Sequence, residues 1–256
     1  MSKLEIHQIP VLNDNYLYLF KDPDSNNVGI VDPAVADPVL EKLDALGWTL
    51  THIINTHHHM DHTGANLELK SKTGCTIVGA KCDAARIPGI DIQLEDGDSF
   101  EFGSQIAKIF EVPGHTIGHI AYWFEDSDAL FCGDTLFALG CGRLFEGSPA
   151  QMWDSLKKFR ELPDQTNIYC AHEYTEANAR FAITVEPQNK DLELRFADIL
   201  KKRANNIPTV PSTIAEEKAT NPFMRPDSAD LQSTLGMVGA DLVGVFTETR
   251  RRKDSF

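Results

Sequence analysis

His57, His59, Asp61 and His62, four groups of types that ligate borderline divalent metals, fall within six residues of the stretch Thr56-His57-His58-His59-Met60-Asp61-His62. Such crowding is costly unless a cation neutralises and orders the groups. On an extended exit from the apolar run Ile53-Ile54, side chains two apart point the same way, so His57 and His59 can grip one ion together. Asp61 and His62 lie past the bend and can face a second ion. His58 points away from its neighbours and reads as a spacer. A His-rich surface loop is the bland alternative, and the H-x-H-x-D-H spacing between a strand and a helix argues against it.

Seven of the nine histidines fall in three clusters, leaving His7 and His52 as strand residues without chemistry. The second cluster is Pro113-Gly114-His115-Thr116-Ile117-Gly118-His119, where glycines permit a tight loop at a strand end. One of its histidines is a ligand candidate. His115, in the irregular loop, is preferred, while His119 opens the next apolar strand and is suited to orienting a ligand. Asp134 directly follows the apolar strand ending in Cys132-Gly133, and its two oxygens could bridge two cations; a turn or helix N-cap aspartate is the alternative. Cys132 reads as a small buried hydrophobe. His172, after the strand 168–170, completes the set.

Alternating and continuous apolar runs predict strands at 4–9, 15–21 and 28–31, with 22–27 as a hairpin turn, and a buried strand at 51–55 feeding the metal-binding turn. Further strands are expected at 76–79, 98–102, 105–112, 119–124, 128–133 and 167–170. Helices are expected at 38–46, ending at Gly47, at 62–72 and at 150–160. This order predicts two mixed sheets packed face to face with helices outside. From 173 the pattern predicts helices only, at 176–185, 191–205 and from about 228, separated by the Pro-bearing stretches 207–211 and 221–226. A domain boundary is placed there, dividing residues 1–172 from the helical residues 173–256.

The apolar fraction of 42% supports a sizeable core, and no run is long enough to span a bilayer. The first residues alternate like a strand rather than a signal peptide. Five cysteines form no C-x-x-C pair and are odd in number, so a reducing cytoplasm is expected rather than a disulfide framework. A net charge of −14 argues against nucleic acid or an anionic membrane as partner. Nothing in the sequence demands more than a monomer.

The order T-H-x-H-x-D-H, G-H-T-x-G-H, C-G-D-T and A-H-E-Y-T resembles the metallo-β-lactamase superfamily and, within it, glyoxalase II, the hydroxyacylglutathione hydrolases. The likeness spans essentially the whole chain, including Asn13-Asp14-Asn15-Tyr16, Cys141-Gly142-Arg143-Leu144-Phe145-Glu146-Gly147 and Arg251-Arg252-Lys253-Asp254. It implies an α+β four-layer αββα sandwich with a C-terminal all-helical domain. It also implies two divalent cations per chain, zinc first, with iron and manganese equally acceptable to these ligands. His57, His59 and His115 would hold the first, Asp61, His62 and His172 the second, and Asp134 would bridge them. Each ion keeps an open position, the mark of a catalytic site.

The implied reaction is hydrolysis of S-(2-hydroxyacyl)glutathione, typically S-D-lactoylglutathione, to glutathione and D-lactate, the second step of methylglyoxal detoxification. Two cations about 3.5–4 Å apart would lower the pKa of a bridging water towards about 7, and the hydroxide, oriented by Asp61, would attack the thioester carbonyl. A thiol of pKa about 8.5 leaves as thiolate with little need of a general acid. Asp61 and Asp134 are the implied catalytic carboxylates. Arg143, Tyr174, Arg250 and Lys253 are the implied glutathione contacts, the last two within the basic run Arg250-Arg251-Arg252-Lys253 that would otherwise read as a solvated tail. Competing readings are a mononuclear iron persulfide dioxygenase, a lactonase or lactamase, and a nucleic-acid-processing member. The second-metal ligands and the residues past 173 weigh against the first, the basic C-terminal run against the second, and the acidic balance against the third.

Arg143 and Phe145 stand where some members, notably eukaryotic ones, carry Lys and Tyr. Arg143 can pair a carboxylate bidentately, but Phe145 cannot donate a hydrogen bond. Phe145→Tyr is therefore expected to lower KM for glutathione thioesters in steady-state kinetics; an unchanged or higher KM refutes this.

Overall fold

The computed structural model describes residues 2–256; Met1, which opens both the alternating segment and the 1–172 division, lies outside the described residues. The chain forms two compact units. The first runs to Glu111 and includes Gly118–Gly133; the second comprises Val112–Ile117 and Asp134–Phe256. These limits differ from a division at 172/173.

The first unit contains β1 (Glu5–Val11), β2 (Asn15–Lys21), β3 (Val28–Val31), α1 (Asp37–Leu46), β4 (His52–Ile54), α2 (Met60–Thr63), α3 (Asn66–Thr73), β5 (Thr76–Ala80), β6 (Ile92–Leu94), β7 (Ser99–Phe102), β8 (Gln105–Glu111), β9 (Ile120–Phe124) and β10 (Ala129–Gly133). Strands β1 to β6 lie in sequence order in one sheet, antiparallel up to β3 and parallel from β3 onward. The parallel strands VGIV, HII and TIVGA are almost continuously apolar, as strands covered on both faces must be. On one face Leu17, Leu19, Ile30, Ile53 and Ile77 pack with Val39 and Leu43 of α1 and Leu69 of α3. On the other, Phe20 meets Phe102 at 4.8 Å and Phe131 at 5.3 Å between ring centres, joining this sheet to the antiparallel strands β7 to β10. The helix expected over 62–72 is instead two. The break falls where the Ala65 N–H bonds to the Pro33 carbonyl at 2.9 Å, tying the turn to the end of β3.

The second unit contains β11 (Leu136–Phe137), β12 (Gly140–Cys141), α4 (Pro149–Arg160), β13 (Asn167–Cys170), α5 (Thr175–Val185), α6 (Lys190–Ala204), β14 (Ser212–Thr213), α7 (Ile214–Thr220), α8 (Ala229–Leu235) and α9 (Leu242–Asp254). Past residue 173 the described chain is helical, as expected, apart from one two-residue strand. Ser212 and Thr213 pair antiparallel with Ile168 and Asn167, and two residues of strand leave no periodicity to read. The segment expected from Ser228 is two helices, because Gly236 adopts φ 72° at the end of α8 and Asp241 caps a new start. Ser148 and Thr213 begin α4 and α7 with reciprocal capping boxes to Gln151 and Glu216. Leu139 packs among Ala179, Ala182, Leu192 and Ile199 of α5 and α6, and Trp153 of α4 meets Phe246 of α9 at 6.3 Å.

The β11–β12 hairpin is held by side chains rather than by neighbouring strands. Asn178 donates to the Ala138 carbonyl (3.1 Å) and Asn221 to the carbonyls of Phe137 (3.2 Å) and Gly140 (3.0 Å). The Leu139 N–H donates to Glu217 Oε2 at 2.8 Å, while Arg195 pairs with Glu217 Oε1 at 2.6 Å. Glu217 is fully buried. Among the described residues no helix is long and apolar enough to cross a membrane.

Two stability measurements test this account. Asp22, buried at the end of β2, accepts the Ser104 N–H (2.6 Å), the Ser104 hydroxyl (3.0 Å) and the Asp24 N–H (3.0 Å). Burial alone would raise its pKa, but these bonds and Ser25 together hold it below the usual carboxylate value. Asp22→Ala is expected to cost about 1–3 kcal/mol in urea unfolding. The native contribution is complete above the unfolded-state pKa of about 3.9 and is lost as pH falls through the lower folded value, so an equal deficit well below that value would refute the assignment. Glu217→Ala strands Arg195 and the Leu139 N–H and is expected to cost about 3–5 kcal/mol, as breaking a buried pair does, with Glu217→Gln costing less. Equal losses in the two variants would show that the bonds an amide could keep contribute nothing, and would refute this account of the hairpin.

Candidate metal centre

The turn after β4 is organised by a carboxylate outside it. Asp32, buried at the end of β3 with φ 49°, accepts the Thr56 N–H at Oδ1 (2.7 Å) and the Thr56 hydroxyl at Oδ2 (2.6 Å). His62 Nδ1 lies 3.0 Å from the same Oδ2. The two ends of the turn are thus pinned to one residue, and His62 Nε2 is turned to within 3.4 Å of Asp61 Oδ2. Asn15 donates to Asp61 Oδ2 at 3.2 Å, and Asn55 donates to the His62 carbonyl at 3.0 Å. His57 Nε2 and His59 Nδ1 face each other at 3.0 Å. The structure therefore brings His57 together with His59, and Asp61 with His62. Asp32 also converges with His57 and His62, but its oxygens are committed to Thr56 and His62, which makes it an orienting acceptor. His119, just before β9, stacks on the His57 ring at 4.7 Å. His58 meets Asp83 through Nδ1 at 2.9 Å while its ring lies edge-on to that of His59 at 4.9 Å.

Asp32 is the functional residue that the motifs do not signal. In the sequence it only stops a strand. The available clue was its place at the C-terminal end of β3, which pairs in parallel with the strand feeding the turn.

In the second unit, one carboxylate lies between two imidazoles. Asp134 Oδ2 is 3.4 Å from His115 Nε2, and its Oδ1 is 3.4 Å from His172 Nε2. His115 Nδ1 lies 2.8 Å from the Arg143 carbonyl, which can only accept; the proton belongs on Nδ1 and the Nε2 lone pair faces Asp134. Tyr174 stacks parallel on His172 at 4.8 Å, Phe137 meets that ring edge-on at 5.9 Å, and the exposed Phe145 lies against His115 at 5.1 Å.

These donors fit divalent cations. Four-coordinate bonds of about 2.0–2.2 Å separate donor atoms by about 3.3–3.6 Å, and the imidazole–carboxylate pairs at 3.4 Å fall in that range. Nitrogen and carboxylate donors with imidazoles oriented from behind suit a borderline metal.

A cationic cluster occupies the same unit. Arg250, buried on α9, donates to the Cys141 carbonyl at 3.1 Å, pairs with Asp254 at 2.7 Å and lies over the Phe223 ring at 5.0 Å. Lys253, one helical turn on, donates to the Ala177 carbonyl at 3.2 Å. Burial, then the positive charges of Arg250 and Arg143, lower its pKa against the opposing pull of Asp254. Arg251 and Arg252 do not join this cluster. Both bind Glu248, at 2.7 and 2.8 Å, and their hydrogen bonds hold its carboxyl down to about 2. Burial pushes the Cys141 thiol up to about 11 despite Arg250, so it stays neutral.

Comparison with known proteins gives this geometry its context. Residues 16–172 match the family model for the metallo-beta-lactamase superfamily, and residues 173–256 match that for the hydroxyacylglutathione hydrolase C-terminus. The chain is 60% identical to a hydroxyacylglutathione hydrolase of Methylococcus capsulatus, over 99% of each chain, and 55% identical to one of Rhodospirillum rubrum, over the full length of both. Among solved structures it resembles ETHE1 from Myxococcus xanthus, with a TM-score of 0.66 and 25% identity, covering 98% of this chain and 99% of that one. The fold is thus the superfamily's α+β sandwich with a helical C-terminal region, and its His and Asp clusters suggest a dinuclear divalent-metal site. Full-length identity to curated hydrolases, joined to both family models, means that the chain belongs to the hydroxyacylglutathione hydrolases of the metallo-beta-lactamase superfamily.

Proposed function

We propose that this protein hydrolyses S-(2-hydroxyacyl)glutathione thioesters, S-D-lactoylglutathione foremost, to glutathione and a 2-hydroxy acid such as D-lactate, the second step of methylglyoxal detoxification. The observation that carries this is the 60% identity, over 99% of each chain, to a hydroxyacylglutathione hydrolase. The two donor sets are read as one dinuclear centre: His57, His59 and His115 for one cation, Asp61, His62 and His172 for the other, with Asp134 shared. Zinc is the first choice, with iron and manganese acceptable to the same donors. When bound, such cations acidify water towards a pKa of about 7 and polarise a carbonyl.

The chain's own residues do the rest. Asp61, steadied by Asn15, accepts a hydrogen bond from the attacking water and aims it at the thioester carbon. Asp134, 3.4 Å from both His115 and His172, is assigned as the shared carboxylate. No acid is needed for the leaving group, since a thiol of pKa about 8.5 departs as thiolate. Arg143, Arg250 and Lys253 are assigned to the carboxylates of glutathione. Tyr174, stacked on His172, is assigned to its peptide part. Residues 1–172 are read as the catalytic domain and 173–256 as the substrate-binding domain, a reading supported by the bounds of the two family models. Free thiols at all five cysteines support a reducing, cytoplasmic setting, and the net charge of −14 favours a small-molecule partner over nucleic acid or membrane. The active species is taken to be the monomer.

The test is thiol release from S-D-lactoylglutathione by the purified protein, with metal counted on the same sample. Rapid release with about two metals per chain is expected, lost on chelation and restored by zinc. Two bound metals without release would overturn the substrate assignment.

A further inference from the structure

A charged cluster lies behind the metal-binding turn, and the reaction as described does not use it. Asp83 ends the single 3-10 turn Lys81–Asp83 after β5, and it is buried. Its Oδ2 lies 2.9 Å from His58 Nδ1, and its Oδ1 accepts from Arg86 Nε at 3.0 Å and Nη2 at 2.5 Å. Arg86 Nη1 approaches His58 Nε2 at 3.2 Å, closing a ring of three side chains. A guanidinium can only donate, so His58 Nε2 accepts, and its Nδ1 carries the proton given to Asp83. Residue 118 must be glycine here, because a Cβ would collide with the Asp83 carboxyl. The Thr63 hydroxyl reaches the carbonyls of both His58 (3.3 Å) and His59 (3.1 Å), securing the same backbone from the other end of α2.

His58 stands between His57 and His59, whose nitrogens face each other. The His58 ring lies edge-on against the His59 ring at 4.9 Å and near the His57 ring at 6.4 Å, so clamping the middle imidazole limits where the outer two can turn. A buried carboxylate is costly unless fully engaged, and Asp83 is engaged by two partners at three short contacts. The geometry points to Asp83 as a positioning residue that, through His58, presets His57 and His59 for the cation. This rests on the metal-centre reading above. His58 is then the lever of the motif.

The test is zinc affinity, measured by chelator competition on Asp83→Ala, His58→Ala and the double variant, with melting of each apo-protein alongside. Asp83→Ala is expected to weaken zinc binding about 10- to 100-fold, as loss of a ligand-orienting partner does. The double variant should be no worse than His58→Ala alone, because both act through one ring. In kinetics kcat should fall while KM for the thioester stays within about twofold, since the glutathione contacts are assigned elsewhere. If Asp83→Ala does not fold, Asp83→Asn keeps an acceptor for the half-exposed Arg86 and is expected to show the same loss in smaller measure. Unchanged zinc affinity in a folded variant, or additive losses in the double, overturns the brace. A wild-type protein that binds no zinc, iron or manganese overturns the metal centre, and the brace with it.

Discussion

One buried carboxylate, Asp32, carries the constraint on which the first donor set depends. Four imidazoles and a carboxylate crowded into a six-residue turn have no intrinsic reason to converge, and their desolvation opposes it. Asp32 supplies the reason by accepting from Thr56 at the start of the turn and from His62 at its end. It can do so because it ends β3, which is hydrogen-bonded in parallel register to β4, the strand that delivers the turn. The sheet is therefore the ruler. Apolar runs too short and too β-branched for helix bring strand ends to a common edge, and one left-handed residue points a carboxylate across that edge.

The second unit solves a comparable problem by different means. Its hairpin is too short to be fixed by strand pairing, so five successive residues, Phe137 to Cys141, give their backbone groups to Asn178, Glu217, Asn221 and Arg250. That hairpin lies between Asp134 and Arg143 in the chain, which are assigned to a metal and to a substrate carboxylate. Placing it under buried polar control is expensive if any partner is lost. It is correspondingly specific, since each carbonyl has one donor that fits.

Most of the architecture was legible because it rests on local pattern. Long apolar strands, the helices at 38–46 and 150–160, and the histidine clusters all announce themselves within a dozen residues. What was not legible depends on partners far along the chain. The strands at Ile92–Leu94 and Ser212–Thr213 exist because neighbours take their hydrogen bonds. Asp32 and Asp83 are ordinary strand-end and turn acids until the fold sets them beside His62 and His58, 30 and 25 residues away. His58 was read as a spacer for the same reason. Alternation gave neither its partner Asp83 nor its edge-on contact with the His59 ring. The division within the basic run was within reach: Glu248 stands three and four residues before Arg251 and Arg252, the spacing at which helical side chains meet, whereas Arg250 and Lys253 share a different face.

That division bears on how an acidic chain can hold an anionic ligand. With a net charge of −14, the long-range field opposes binding, so attraction must come from charges that are close and poorly solvated. Glu248 neutralises the two outward arginines, and burial intensifies the two inward cations. The lowered pKa of Lys253 records this concentration, because desolvation and its like-charged neighbours both disfavour the proton it carries. In the reading proposed above, a carboxylate of the substrate would relieve part of that repulsion. Asp254 relieves part of it beforehand through its 2.7 Å contact with Arg250.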